Sequence, residues 1–217
     1  MLMLVMNGCI LMENKSNINR EWFTGNGFKY SISVQIHPKR KKYLPYLLKR
    51  LGTEKYAMDR ENDIWETARR AWLSYDEDAD YHFVIQDDSL ITSMFHDKLK
   101  KHLESTKGRE YCFVLYTGRP RMRKHIRRAK REGFNHLLFK RIYNEVALGL
   151  PVNHIDEMVE YCDQYGDGTC RWIQRYIQSK KMLAYYTMPS LIDHRDEDSL
   201  HNNNKGVYVR KANWFEP

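Results

Sequence analysis

Tyr81-His82-Phe83-Val84-Ile85-Gln86-Asp87-Asp88 carries an apolar strand straight into two consecutive carboxylates. Adjacent acids repel, and in an open α/β sheet the carboxyl end of a strand borders the ligand crevice, so a cation belongs beside this pair. Hard divalent ions such as Mg2+ or Mn2+ take carboxylate and phosphate oxygens together, which is how enzymes hold a nucleoside diphosphate. The same pair also suits a solvated loop or the cap of a following helix.

Working outward, Tyr30–Ile36 alternates in strand fashion and meets a turn at His37-Pro38, after which residues 41–51 read as a helix. A short strand is expected over 54–59. A helix over 63–75 is capped by Asp63 and places Ile64, Ala68, Ala71, Trp72 and Tyr75 on one side. Downstream come a helix over 93–104, a strand over 111–116 and an amphipathic helix after Pro120, with Met122, Ile126 and Ala129 as its apolar stripe. A strand over 134–139, helices over 153–164 and 169–182, and a last strand over 183–187 complete the pattern. Strands alternating with helices predict an α/β fold: one Rossmann-like domain over 29–217 with a mostly parallel central sheet flanked by helices. Residues 1–28 read as a weakly structured N-terminal extension.

The 42% apolar fraction suffices for a core, and a mean hydropathy of −0.73 with 29% charged residues describes a soluble surface. The apolar opening, 1–12, lacks a basic leader and is too short to span a bilayer, so the expectation is a cytoplasmic protein with no membrane partner. Cys9, Cys112, Cys162 and Cys170 show no paired spacing, which predicts reduced thiols, and with His136 they offer no zinc-ligand spacing.

The net charge of +8 is concentrated. Residues 119–131 hold eight Lys or Arg among thirteen: Arg119, Arg121, Arg123, Lys124, Arg127, Arg128, Lys130 and Arg131. That density suits a phosphate backbone, and DNA is the expected partner, with solubilising charge as the plainer explanation.

Five stretches, taken in order, resemble phage and prophage glycosyltransferases of the GT-A type. They are His37-Pro38-Lys39-Arg40; Asp59 with Trp65 and Arg70-Ala71-Trp72; Gln86-Asp87-Asp88; Tyr116-Thr117-Gly118-Arg119-Pro120; and Tyr186-Thr187-Met188-Pro189-Ser190-Leu191-Ile192-Asp193-His194-Arg195. The resemblance covers about residues 30–199. It implies a GT-A-like domain that moves a sugar from a nucleotide sugar, UDP-linked, to a hydroxyl, with a 5-hydroxymethylpyrimidine of phage DNA as acceptor and a phage virion protein as the alternative. It further implies a divalent ion, Mn2+ or Mg2+, with Asp88 and His194 as ligands, and Asp87 on the ribose or supporting the ligand. The spacing departs from a strict Asp-x-Asp, so that division of roles stays open.

His37, Arg40, Asp59, Arg70, Gln86 and Asp87 form the expected donor-binding set; surface charge is the competing reading for His37 and Arg40. Asp167, between Gly166 and Gly168, is the expected catalytic base, or an ordinary helix cap. Trp172, Tyr176 and Tyr185 suit either stacking on an extruded base or the core. A catalytically silent DNA-binding module would account for the basic segment but not for Gln86-Asp87-Asp88, and a metal-dependent nuclease would need a further acid and lysine that cannot be assigned.

Overall fold

The computed structural model describes residues 27–106, 108–165, 170–195 and 211–217, together with the backbone of 3–6 and 9–12. The strands are β1 (Met3–Met6), β2 (Cys9–Met12), β3 (Tyr30–Ile36), β4 (Tyr56–Met58), β5 (Tyr81–Gln86), β6 (Ser89–Ile91), β7 (Tyr111–Val114), β8 (His136–Phe139), β9 (Ala147–Pro151), β10 (Leu183–Thr187) and β11 (Ile192–His194). The α-helices are α1 (Leu44–Leu51), α2 (Ile64–Trp72), α3 (Phe95–Ser105), α4 (Arg123–Glu132), α5 (Ile155–Tyr165) and α6 (Cys170–Ser179).

The main sheet runs β4-β3-β5-β9-β7-β10-β8, with the β2–β1 hairpin continuing beyond β8. Of these seven central strands, β4, β3, β5, β7 and β10 point one way, while β9 and β8 point the other. The sheet is therefore mixed α/β, and an antiparallel strand separates β5 from β7. Nothing in the alternation pattern announces β9, because Ala147-Leu-Gly-Leu-Pro151 is short and holds both residues that usually break strands. Its glycine is required: a Cβ on Gly149 would lie 2.2 Å from the Phe83 ring of the neighbouring strand.

Period-two alternation sends side chains into two cores, one on each face of the sheet. Tyr81, Phe83 and Ile85 of β5 and Phe113 of β7 pack with Leu47 and Leu51 of α1 and Leu99 and Leu103 of α3. On the other face, Val84, Cys112 and Val114 meet Trp65 and Trp72 of α2, Ile126 and Ala129 of α4, Met158 of α5 and Tyr176 of α6. Asp63 caps α2 as expected, accepting from Glu66 N at 3.0 Å. Ala68, Ala71, Trp72 and Tyr75 face the core as expected, but the first position differs. Ile64 is exposed, whereas Trp65 is buried and donates Nε1–H to Asp163 of α5 at 2.7 Å, a carboxylate that also pairs with Arg69 at 3.0 Å. Arg69 thus bridges two helices and does not simply face solvent. Tyr176 and Tyr185 are each 1% exposed, so the structure corrects the reading of them as base-stacking residues. Trp172 lies half-buried against Tyr165 and beneath Arg175.

Three buried or half-buried histidines line this interior. His82 Nε2–H donates to Ala71 O at 2.9 Å and Nδ1 accepts from Ser31 at 2.7 Å, the pattern of a neutral ring. Burial pushes His82, His102 and His136 down to about 4 from the ordinary 6.5. Since the unfolded chain binds these protons and the folded chain resists them, stability is full above pH 6.5 and is lost as pH falls from 6.5 toward 4. Urea unfolding at a series of pH values is expected to show proton uptake approaching three near pH 5, and roughly 4 kcal/mol lost per pH unit at the steepest point. A flat profile between pH 7 and 5 would contradict the neutral assignment.

Candidate functional site

The five strands that share a direction end on the same side of the sheet, and each quoted motif has residues at one of those ends, although Trp65 and Arg70-Ala71-Trp72 lie on α2. β3 runs into His37, β4 into Asp59, β5 into Asp87-Asp88, β7 toward Thr117-Gly118 and β10 into Met188-Pro189.

The turn after β3 is built locally. Pro38 opens a 3-10 helix over Pro38–Tyr43, and the His37 ring caps it by accepting from Lys39 N through Nδ1 at 3.1 Å. That turn swings Arg40 inward until it is 7% exposed. Its Nη1 lies 2.9 Å from Asp87 Oδ1 and 2.6 Å from Asp88 Oδ2, while His37 N donates to Asp87 Oδ2 at 2.6 Å. The expected cation beside the two carboxylates is therefore in part the protein's own.

β11 reaches the same place by pairing antiparallel with β6, in a register that sets His194 opposite Ser89, next to Asp88. Arg195 N then donates to Asp88 O at 2.7 Å, and Ser190 Oγ and Ile192 N both donate to Leu115 O beyond β7, at 3.0 Å each. The His194 ring faces Arg195 O through Nδ1 at 2.5 Å and Asp88 Oδ2 through Nε2 at 3.0 Å. A carbonyl on Nδ1 fixes the proton there, so Nε2 offers either a lone pair to a cation or, when protonated, a charged hydrogen bond to Asp88.

The two acids differ in character. Burial raises the Asp87 carboxyl above its ordinary value, only partly offset by His37 N and Arg40. Burial also opposes ionisation of Asp88, but the hydrogen bond and charge of His194, with Arg40, outweigh it and hold that carboxyl below its ordinary value. Asp88 is thus the more firmly ionised of the pair. Its Oδ2 is shared by Arg40 and His194, while Oδ1 is buried with no hydrogen-bond partner among the described residues. Other buried side-chain atoms in that condition sit at the same strand ends, among them Ser89 Oγ, Thr117 Oγ1 and Arg195 Nε. Natively folded chains rarely strand such groups, and a cluster of them at one edge marks a place where ligand atoms fit.

The remaining expected donor residues are placed less centrally. Asp59 is buried beside the end of β3, where Asp59 N donates to Ile36 O and Oδ1 accepts from Glu61 N at 3.3 Å and Asp63 N at 3.2 Å. Arg70 donates to Met58 O at 2.7 Å and lies 3.7 Å from Glu66, so it braces the end of β4. Gln86 is half-buried at the end of β5, and its N donates to Val146 O. Asp167 lies outside the described residues. Among the described residues no group of three or more His, Cys, Asp and Glu gathers in metal-binding fashion.

Beyond Gly118, whose Cβ would collide with the Tyr116 hydroxyl, the chain enters the basic segment. Met122, Ile126 and Ala129 are buried as expected, leaving a cationic outer face on α4. Its charges are not equivalent. Arg128 pairs with Glu132 at 2.8 Å, Arg131 lies 3.4 Å from the same carboxylate, and Arg119 donates to Tyr143 O at 2.8 Å. Arg121, Lys124 and Arg127 are exposed with no ion-pair partner among the described residues. Arg123, Arg127, Lys130, Asn213 and Trp214 line a pocket of about 190 Å³ floored by Ile126, with the Lys130 ammonium 5.2 Å from the Trp214 ring centre. Asn213, which sequence reasoning missed, ties this pocket to the strand ends by donating to Thr117 O and Arg119 O. Comparison with known proteins finds no matching family model and no matching curated protein.

Because Arg40 is the cation between two buried acids, Arg40→Met should destabilise the fold by about 3–5 kcal/mol, the scale for orphaning a buried ion-pair partner. Adding Asp87→Asn to that variant should recover part of the loss. Urea unfolding of the three proteins checks this, and a loss below about 1 kcal/mol for Arg40→Met would show that the acids do not depend on it.

Proposed function

We propose that this chain is a metal-dependent glycosyltransferase of the GT-A type, moving a sugar from a UDP-linked donor to the hydroxymethyl group of a 5-hydroxymethylpyrimidine in DNA. One observation carries the reading: buried Asp88 meets His194 at the carboxyl end of the sheet and keeps an Oδ1 with no hydrogen-bond partner among the described residues. Each of the five stretches that resemble phage glycosyltransferases puts residues at a strand end on that side, which supports it further.

The donor set fits an ion that takes most of its coordination from phosphate oxygens and water, with Asp88 Oδ1 and His194 Nε2 as the protein's share. When bound, such an ion supplies positive charge against the departing diphosphate. The chain's own residues do the rest. Arg40 and His37 N hold the two carboxylates in place, and Asp87 is the proposed contact to the ribose. Asp167, outside the described residues, is the proposed base for the acceptor hydroxyl. The α4 face and its pocket are the proposed contact to DNA phosphates, carried by Arg121, Arg123, Lys124, Arg127 and Lys130 more than by Arg128 and Arg131, whose charge Glu132 offsets.

UDP-sugar hydrolysis without acceptor tests the donor half, because neither a silent DNA-binding module nor a nuclease consumes sugar nucleotide. Excess chelator is expected to abolish it, and Asp88→Ala to lower it by roughly 10²- to 10³-fold, the scale of one positioned electrostatic contact, with the circular dichroism spectrum retained. Full turnover in chelator would remove the metal from the mechanism.

For the acceptor half, DNA affinity should fall with salt at a log–log slope near −0.9 per neutralised phosphate. The double variant Lys124→Glu/Arg127→Glu should flatten that slope by about two units. Fluorescence anisotropy from low to high salt checks it. Binding indifferent to salt, with transfer to virion protein alone, would replace DNA by a protein acceptor.

A further inference from the structure

Arg195 follows directly on His194 and is set by its own backbone, since Arg195 N donates to Asp88 O at 2.7 Å. Its guanidinium packs against two rings, 4.3 Å from the centre of Tyr43 and 5.0 Å from that of Tyr46. Tyr46 is itself fixed, because its hydroxyl accepts from Ile91 N at 3.1 Å. Aromatic contact of this kind covers the flat face of a guanidinium and leaves its hydrogen-bonding edge as the available part.

On that edge Nε is buried and has no hydrogen-bond partner among the described residues. The carboxylates around it among the described residues are already engaged. Asp87 and Asp88 are matched by Arg40, with His194 also on Asp88, and Asp193 Oδ1 accepts from His194 N at 2.8 Å and Ala212 N at 2.6 Å. Asp193 Oδ2 lies 3.7 Å from Lys211. A desolvated donor on a permanent cation is costly unless an acceptor reaches it. The site therefore couples an orphan acceptor, Asp88 Oδ1, with an orphan cationic donor one residue beyond His194. A cation suits the first, and an anion with planar, paired oxygens suits the second.

We propose that Arg195, packed against Tyr43 and Tyr46, binds phosphate oxygens of the nucleotide. This rests on the reading of the strand-end cluster as a sugar-nucleotide site and gives Arg195 a role distinct from the ligand role of His194. A guanidinium edge presents parallel N–H groups that match two phosphate oxygens, which a lysine ammonium does not reproduce.

The test is calorimetric binding of UDP, uridine and inorganic pyrophosphate to the full chain with Mn2+, for the wild type, Arg195→Gln and Arg195→Lys. Arg195→Gln is expected to weaken UDP and pyrophosphate by roughly 10- to 100-fold, the range for a hydrogen bond to a charged group, while uridine is unchanged. Arg195→Lys should fall between, and it keeps the comparison open if the glutamine variant does not fold. Equal UDP and pyrophosphate affinity in all three proteins overturns the assignment and leaves the sugar-nucleotide reading standing; an equal loss for uridine overturns it as well. Pyrophosphate bound in an Arg195-dependent way, with no nucleoside diphosphate bound, keeps the anion site and sinks the sugar-nucleotide reading. No binding of either by the wild type overturns both.

Discussion

Two carboxylates in sequence at a buried strand end repel each other and lose hydration together, so the fold around them needs compensating charge held in place. Arg40 Nη1 supplies it, bridging Asp87 and Asp88 at 2.9 and 2.6 Å. This bridge fixes more than the acids. It ties the turn after β3 to the end of β5, and through Asp88 it reaches His194 on β11, which arrives from the far end of the chain. Three segments distant in sequence are thereby held around one pair of side chains.

The bridge also separates the two acids chemically. Asp87, hydrogen-bonded by a backbone amide and Arg40, is still pushed up by burial, whereas Asp88 gains His194 as well and stays ionised. A site that needs one dependable negative charge has it in Asp88.

Much of the frame was legible because strands betray their ends. In β5 the apolar run stops at Gln86, and in β3 it stops at a His-Pro turn, so direction and termini of the parallel strands could be read before any contact was known. The amphipathic α4 was legible for the same reason, as Ile126 and Ala129, with Met122 just before the helix, keep helical spacing. Five strands were not, among them β1 and β2, which join the main sheet from the stretch read as a weakly structured extension. β6 and β11 have three residues each, too few for periodicity, and β9 holds a glycine that only the Phe83 ring explains. Within the site, local pattern marked Arg40, Asp87, Asp88 and His194 as chemically interesting. It did not reveal that Arg40 faces the two acids across 47 and 48 residues of chain, because such a contact leaves no local trace. Arg195 and Asn213 went unassigned for a like reason. The packing on Arg195 comes from a helix near the N-terminal end, and Asn213 acts only through backbone groups of the 117–119 loop.

The Asp87-Asp88 cluster and the cationic face belong to one edge of the molecule, joined by the segment from Tyr116 to Arg123 and braced by Asn213. A polyanion on α4 would therefore lie along the edge that carries Asp88, as transfer to a base on that polymer requires. The most direct measurement is mass spectrometry of nucleosides from hydroxymethylated DNA after incubation with a mixture of nucleotide sugars and Mn2+. The account predicts a mass increase of one sugar on the hydroxymethylpyrimidine, absent from unmodified DNA. No mass increase on that DNA or on virion protein, with every nucleotide sugar left intact, would contradict it.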